Sequence, residues 1–303
     1  CSAEVVSADG RLVVASPHAD PELFWGLCGG GGNLGVVTEL ELALHPIAPQ
    51  VLAGMLLYPG ERAAAIIEGF CAIMTDAPDE LGAMLALLSA PVADWVPEHL
   101  RGRPSVALFG GWLGAPERGI AAIEQLRGLA PVAVDTVRAM PYLELQQLLE
   151  PGPAGALRHH WTADCLSELP AAAIAAVVSH AHAAPSPLSQ TLLMPGGGAL
   201  QRSGHDTLLG ARHAPWSIHV VAMWTDPADD ERHRAWVDTL RTQLARWITA
   251  RNYLNFADDD PQALQVALGT APHARLAALK RRYDPTNLFR HNPNVTPAGT
   301  ATP

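Results

Sequence analysis

Four consecutive glycines, Gly29 to Gly32 in the stretch FWGLCGGGGNLGVV, constrain this chain more than any other feature. Glycine loses more conformational freedom on folding than any other residue, so such a run belongs where the backbone turns tightly or approaches something closely. Gly30, Gly32 and Gly35 also match the spacing G-x-G-x-x-G. Two alternatives follow for this loop: a backbone bared toward a ligand, or a tight turn that needs positive φ.

The elements on either side of the glycines decide against a dinucleotide-binding turn. Asp20–Glu22 supply the N-cap, first-position proline and first-turn acid of a short helix before the loop. After the loop, apolar residues between 37 and 44 mostly alternate with polar ones, which predicts a strand that Pro46 closes. A dinucleotide-binding turn needs the opposite order, strand before and helix after. No G-K-[ST] follows that would make a phosphate-binding P-loop.

Composition restricts the class of protein. The chain has 303 residues, of which 49% are apolar and 17% charged, enough for one large or two ordinary folded domains. The formal net charge of −10 argues against nucleic acid or an anionic membrane as a partner. No apolar run reaches the roughly 18 residues of a spanning helix. Four scattered cysteines without C-x-x-C give no zinc or disulfide signature, so a reduced, cytoplasmic setting is expected.

Periodicity along the rest of the chain mixes strands with helices, and several strands follow one another. This order favours an α+β fold, one mainly antiparallel sheet backed by helices. Residues 150–170 are predicted to be loop and short helix. Strands are predicted at 51–60, 81–91, 105–114 and 217–226. Helices are predicted at 61–77, 115–129, 170–185, 229–248 and from 273 to just before Pro285.

Three separated stretches resemble one family. AEVVSADGRLV with PELFWGLCGGGGNLGVVTELELALHP resembles the end of the FAD-binding domain in the vanillyl-alcohol-oxidase superfamily. YLNFADDD followed by RLAALKRRYDPTNLFRHNPNVTP resembles the C-terminal segment of its berberine-bridge-enzyme-like branch. RHHWTADCL, GGALQR and the W-x-D-P at 224–227 are similar to the substrate domain of bacterial members. The resemblance covers essentially the whole chain.

The resemblance implies a domain organisation. Residues 1–45 are expected to be the closing part of an FAD-binding domain, 46–250 an α+β substrate domain, and 251–303 a segment that packs back on the FAD domain. The N-terminal half of the family's FAD domain has no counterpart in this sequence, so the chain is expected to be a fragment or to have a mis-assigned start.

The resemblance also implies site residues. Tyr253 matches a tyrosine that acts as a base in several members, although a tyrosine in a polar loop can equally be structural. His219 and Met223 are expected to line the substrate pocket, with a packed core histidine as the alternative for His219. The residues expected near the FAD are Gly30, Gly31, Gly32, Asn33, Gly35, Val36, Val37 and Asn255.

The implied activity is oxidation of an alcohol or amine C–H of a small molecule, with hydride transfer to FAD and with oxygen or another acceptor taking the electrons. The alternative is a truncated, non-catalytic remnant or a small-molecule-binding module that cannot hold FAD alone. No metal site is expected. His180 and His182 lack further ligands and are predicted to be a solvated helix end, and Asp258–Asp260 a solvated turn.

Overall fold

A computed structural model describes residues 1–148, 157–202, 207–208, 210–251, 264–265 and 268–299. The chain divides into two compact units. The first comprises Cys1–His45, Ser203–His213 and Ala250–Pro303, and the second comprises Pro46–Arg202 and Ala214–Thr249. The sequence prediction grouped 203–213 with 46–250. Leu208 instead belongs to the apolar core of the first unit, and its N–H donates to the carbonyl oxygen of Cys28 at 3.1 Å.

The first unit contains a three-stranded antiparallel sheet in the order β2-β1-β3. Its strands are β1 Ser2–Val6, β2 Leu12–Ala15 and β3 Val36–Glu41, and its helices include α1 Pro21–Leu27 and α8 Thr270–Tyr283. Asp20 caps α1 as predicted, because its Oδ1 accepts the N–H of Leu23 at 3.2 Å. β3 is shorter than predicted. Its ladder ends at the pair Ser2–Glu41, and Leu42 and Leu44 follow it, paired with no strand of the described residues and exposed.

The second unit is built on one long, mainly antiparallel sheet in the order β12-β9-β11-β10-β5-β6-β4-β7, with β8 paired to β4. Its strands are β4 Gln50–Pro59, β5 Leu81–Ser89, β6 Pro104–Trp112, β7 Val134–Asp135, β8 Arg138–Pro141, β9 Arg158–Leu166, β10 Gln190–Pro195, β11 Trp216–Trp224 and β12 Ile248–Arg251. Its helices are α2 Ala63–Thr75, α3 Pro116–Arg127, α4 Tyr142–Gln147, α5 Ala171–His182, α6 Gly198–Arg202 and α7 Asp230–Leu244. The predicted α+β class is confirmed.

Four helices, α2, α3, α5 and α7, cover one face of this sheet and form the main core with it. The stripe predicted on α7 is confirmed, since Trp236, Leu240 and Leu244 are all buried. On α3 the predicted stripe is only partly right. Ile123 and Leu126 are buried, but Ile120 is 53% exposed and lies outside the contact with the sheet.

The prediction of loop and short helix at 150–170 is wrong for 158–166, where β9 pairs with β11 over nine positions, while 167–170 form a loop. The sequence did not reveal β9 as a strand, because its polar residues pair with charged residues that lie far away in the sequence. Nε and Nη2 of Arg158 each donate to the Asp230 carboxylate at 2.5 Å. Asp164, which is buried, pairs with Arg241 at 3.3 Å. Among the described helices, none has both the length and the apolar character needed to cross a bilayer.

Candidate cofactor loop and substrate-facing sheet

The glycine loop lies between α1 and β3, in the order predicted. Gly31 adopts φ +64, a region that favours glycine, so the tight-turn interpretation holds there. At Gly35 the reason is packing, because a Cβ would come within 2.5 Å of the Val5 side chain and 2.7 Å of the Val6 carbonyl oxygen. Gly31 and Gly32 are nevertheless exposed, so two glycines at the loop's apex present backbone without side chains. The loop therefore has features of both alternatives.

The side chain of Asn33 ties the loop to the C-terminal segment. Its Nδ2 donates to the carbonyl oxygens of Gly30 at 2.8 Å and Pro293 at 3.0 Å. Its Oδ1 accepts the N–H of Val295 at 2.9 Å. Asn33 is fully buried, so its amide is used within the protein and leaves only the loop's backbone for a bound group.

A buried ion pair at the C-terminal end of α8 also holds the glycine loop. The ammonium of Lys280 lies 3.1 Å from the Asp284 carboxylate, and both side chains are 0% exposed. Lys280 also donates to the carbonyl oxygens of Asn33 at 3.0 Å and Phe289 at 2.7 Å. Burial alone would raise the pKa of Asp284. The N–H groups of Leu288 and Phe289 and the Lys280 ammonium outweigh it and hold that pKa below its usual value.

Two asparagines of the C-terminal segment were missed as candidates in the sequence. Asn292 donates from Nδ2 to the carbonyl oxygen of Gly32 at 2.9 Å. The Oδ1 atoms of Asn292 and Asn294 are buried and have no hydrogen-bond partner among the described residues. Buried acceptors are seldom left unpaired, so these two atoms are candidates for a donor that the described residues do not supply. The repeated N-x-N in RHNPNV was the available signal.

Val36 and Val37, the first residues of β3, leave the loop with their side chains exposed at 54% and 42%. Every residue of β3 is exposed, and Leu40 is 60% exposed. The strand therefore presents apolar surface immediately after the bare glycines. Tyr253 and Asn255, the predicted base and flavin contact, lie outside the described residues.

His219 and Met223 lie on β11 with their side chains on the sheet face opposite the helices. Val221 and Met223 belong to the apolar cluster on that face, whereas Ile218 and Val220 belong to the helix-side core. Met223 is half-buried, while His219 is 1% exposed. The predicted face is the one observed, but His219 presents almost no surface to a ligand in this structure.

Hydrogen bonds fix the tautomer of His219. The indole N–H of Trp161 donates to its Nδ1 at 3.2 Å, so Nδ1 carries no proton. The proton of the neutral ring therefore sits on Nε2, which lies 2.9 Å from the Ser217 hydroxyl and donates to it. Burial lowers the pKa of His219 to about 4. The ring is thus neutral at neutral pH and has no free lone pair for taking a proton.

The second histidine prediction needs correction. His182 is exposed as predicted, but His180 is buried. Its ring stacks on Trp236 at 4.3 Å, and its Nε2 donates to the Trp236 carbonyl oxygen at 2.7 Å. Contact between α5 and α7 explains the burial, which position near a helix end could not reveal. Within the described parts of the chain, no three His, Cys, Asp or Glu side chains cluster as a metal ion requires.

Comparison with known proteins adds to this geometry. The family profile described as "Berberine and berberine like" matches residues 252–296. The chain is 28% identical to (R)-6-hydroxynicotine oxidase of Paenarthrobacter nicotinovorans, over 98% of this chain and 65% of that protein. It is 24% identical to an FAD-linked oxidoreductase of Dictyostelium discoideum, over 97% of this chain and 62% of that protein. It therefore spans just under two thirds of the length of these relatives.

Solved structures show the same fold. The 6-hydroxy-D-nicotine oxidase of Arthrobacter nicotinovorans superposes with a TM-score of 0.81 at 24% identity, covering 98% of this chain and 66% of that one. A xylooligosaccharide oxidase from Myceliophthora thermophila, solved with xylobiose, gives 0.80 at 19% identity, covering 99% and 66%. The likeness thus extends over both units of this chain.

Proposed function

We propose that the chain belongs to the berberine-bridge-enzyme-like family of FAD-linked oxidoreductases, and that it serves an FAD-dependent oxidation of an alcohol or amine C–H in a small molecule. The observation that carries the proposal is the glycine loop, which the C-terminal segment holds through Asn33 and Lys280 while its apex stays bare. A loop whose only role is to turn the chain does not need hydrogen bonds to a segment so distant in sequence.

The residues of the first unit fit a flavin nucleotide. Bare backbone at Gly31 and Gly32 lets a large flat or charged group approach closely. The unpaired oxygens of Asn292 and Asn294 suit N–H donors such as those on the edge of a flavin ring. Val36 and Val37 add apolar surface for the ring. FAD, when bound, supplies a hydride acceptor for the substrate C–H.

The protein's own part in the reaction is to bind the substrate and take its O–H or N–H proton. Tyr253 is the proposed base, and Asn255 a proposed polar neighbour that holds the flavin or lowers the tyrosine pKa. His219 is unsuited to that task, since both of its nitrogens are engaged and its proton is on the nitrogen facing Ser217. We assign it to the wall of the substrate side of the sheet, together with Met223.

The test is reconstitution of the purified protein with FAD, followed by desalting and measurement of the retained flavin. We expect flavin to be retained and Asn292→Ala to lower its affinity by about tenfold, the usual effect of removing one hydrogen bond to a bound group. The exposed Gln146→Ala, on α4, is the matched control and should change nothing. Bleaching by an alcohol or amine without oxygen would establish the activity.

Failure to retain FAD in the parent protein, with its fold intact by circular dichroism, would contradict the proposal. It would leave the rival, a small-molecule-binding module that cannot hold FAD alone. If Asn292→Ala and the parent retain FAD equally, FAD remains the cofactor but Asn292 does not contact it.

A further inference from the structure

Three adjoining cavities form one groove on the second unit's sheet, over β5, β6 and β4. Their volumes are about 340, 280 and 330 Å³. The first two share Gly82, Ala83 and Met84, and the last two share Phe109 and Leu148. Met84 and Phe109 belong to the apolar cluster opposite the helices, so the groove opens on the face that also carries Met223. We call this surface the sheet groove.

Glycine gives the groove its depth. A Cβ built on Gly82 meets nothing within 4 Å, so the space above this residue is open. On the neighbouring strands, Gly54 and Gly110 pair with each other and line the second cavity together with Gly82. The floor at this point is therefore backbone, and a ligand can lie flat on it.

The lining offers rings and thioethers instead of hydrogen bonds. Trp95, Phe109 and Met55 line the third cavity, and Trp95 is 49% exposed at its rim. The only hydroxyl that lines this cavity among the described residues is that of Thr136. It already accepts the N–H of Met55 at 2.9 Å and donates to the Met55 carbonyl oxygen at 3.2 Å.

Charge is almost absent from the groove. Among the described residues, the second and third cavities are lined by no charged side chain, and the first only by Asp79, which is paired with Arg202. A sugar or an ion entering the second or third cavity would give up hydrogen bonds to water without replacement, which is costly for each unpaired group. An uncharged ring would gain aromatic and sulfur contacts.

We propose that the sheet groove binds an uncharged, apolar, ring-containing small molecule and excludes oligosaccharides. The inference deepens the proposed function and rests on it in one respect: the bound molecule is the substrate, or the apolar part of the substrate, of the oxidation.

The experiment is calorimetric titration of the purified chain, without FAD, with three probes: 2-naphthol, naphthalene-2-carboxylate and xylobiose. We expect 2-naphthol to bind with a Kd of about 1 mM or tighter, as suits a small apolar ligand. Naphthalene-2-carboxylate should bind about tenfold more weakly because its charge must be desolvated. Xylobiose should show no heat of binding.

Two variants locate the binding. Gly82→Leu fills the open space and should weaken 2-naphthol by about tenfold or more, since a leucine occupies the volume of the ring. Ala65→Leu adds a leucine at an exposed position of α2, on the other side of the sheet, and should leave the affinity unchanged. Trp95→Ala, at an exposed position, should weaken binding about three- to tenfold. If Gly82→Leu does not fold, the affinity of Trp95→Ala for 2-naphthol tests whether the ligand binds in the sheet groove.

Three outcomes would overturn the inference: no binding of 2-naphthol to the folded parent, binding of xylobiose at least as tight, or affinity that neither Gly82→Leu nor Trp95→Ala lowers. Concentration-dependent dimerisation that Gly82→Leu abolishes would also overturn it, because the groove would then hold a second copy. Binding of 2-naphthol by a protein that cannot retain FAD would keep the ligand class and refute the proposed function. FAD retention without binding of 2-naphthol would keep the proposed function and refute the ligand class.

Discussion

The ammonium group of Lys280 donates to the main-chain oxygen of Asn33 at 3.0 Å, although the two residues are 247 positions apart in the sequence. Lys280 is fully buried beside Asp284, in the last turn of α8. The contact joins a C-terminal helix to the glycine loop near the start of the chain. The buried cation is therefore one of the contacts that hold the loop, beside the hydrogen bonds of the Asn33 side chain.

Lys280→Met should therefore destabilise the protein strongly. Removing one partner of a buried ion pair leaves the other charge uncompensated, and the expected loss is about 3–5 kcal/mol in the free energy of unfolding. Urea denaturation followed by circular dichroism measures it. Arg290→Met, at an exposed position nearby in sequence, is the control and should stay within about 0.5 kcal/mol of the parent. Equal stability of the two variants would show that the pair contributes nothing.

Asn33→Ala should loosen the glycine loop specifically. The change deletes three hydrogen bonds and leaves the buried N–H of Val295 unpaired, at a cost of about 3 kcal/mol. We expect faster amide exchange at 30–35 and at Val295, measured by hydrogen–deuterium exchange. Thr38→Ala removes an exposed hydrogen bond on β3 and should leave those rates as they are. Unchanged exchange in Asn33→Ala would mean that backbone packing alone holds the loop.

His219 should make stability fall in acid. Its pKa is about 4 in the folded protein against an ordinary value of 6.5, so the unfolded chain binds the proton more tightly. Its full contribution is present above pH 6.5 and is lost as pH falls from 6.5 to 4, by about 3 kcal/mol. His219→Gln should flatten the pH dependence of the unfolding free energy across this window. Leu188→Gln, at an exposed position without a titratable group, should keep the parent's slope.

Tyr253→Phe should leave FAD bound and slow substrate oxidation by about 10²- to 10⁴-fold, the usual effect of losing a general base. The deficit should shrink at high pH, where hydroxide can take the proton. Anaerobic rapid mixing, with flavin bleaching as the readout, separates this loss from weaker substrate binding. Tyr142→Phe, on α4, is the control. A parent-like rate in Tyr253→Phe would make Tyr253 a structural tyrosine.

Local signals in the sequence determined the elements and their order. The N-cap at Asp20, the stripe of Trp236 and Leu240 on α7, and the alternation in β11 each follow from neighbouring residues, so the α+β class and the helix–loop–strand order could be predicted. The motifs that flank the glycines and close the chain also carry the resemblance to the berberine-bridge-enzyme-like family.

Only the tertiary structure decided how polar residues are used. β9 was hidden because Arg158 and Asp164 find their charge partners on α7, and the burial of His180 follows from its stacking on Trp236. Residues distant in sequence likewise determine three further features: the hydrogen bonds of the Asn33 amide, the unpaired oxygens of Asn292 and Asn294, and the sheet groove. Propensity and periodicity act over one or two turns of chain. The free energy of a buried polar atom or an apolar cavity depends on whichever segments the fold brings against it.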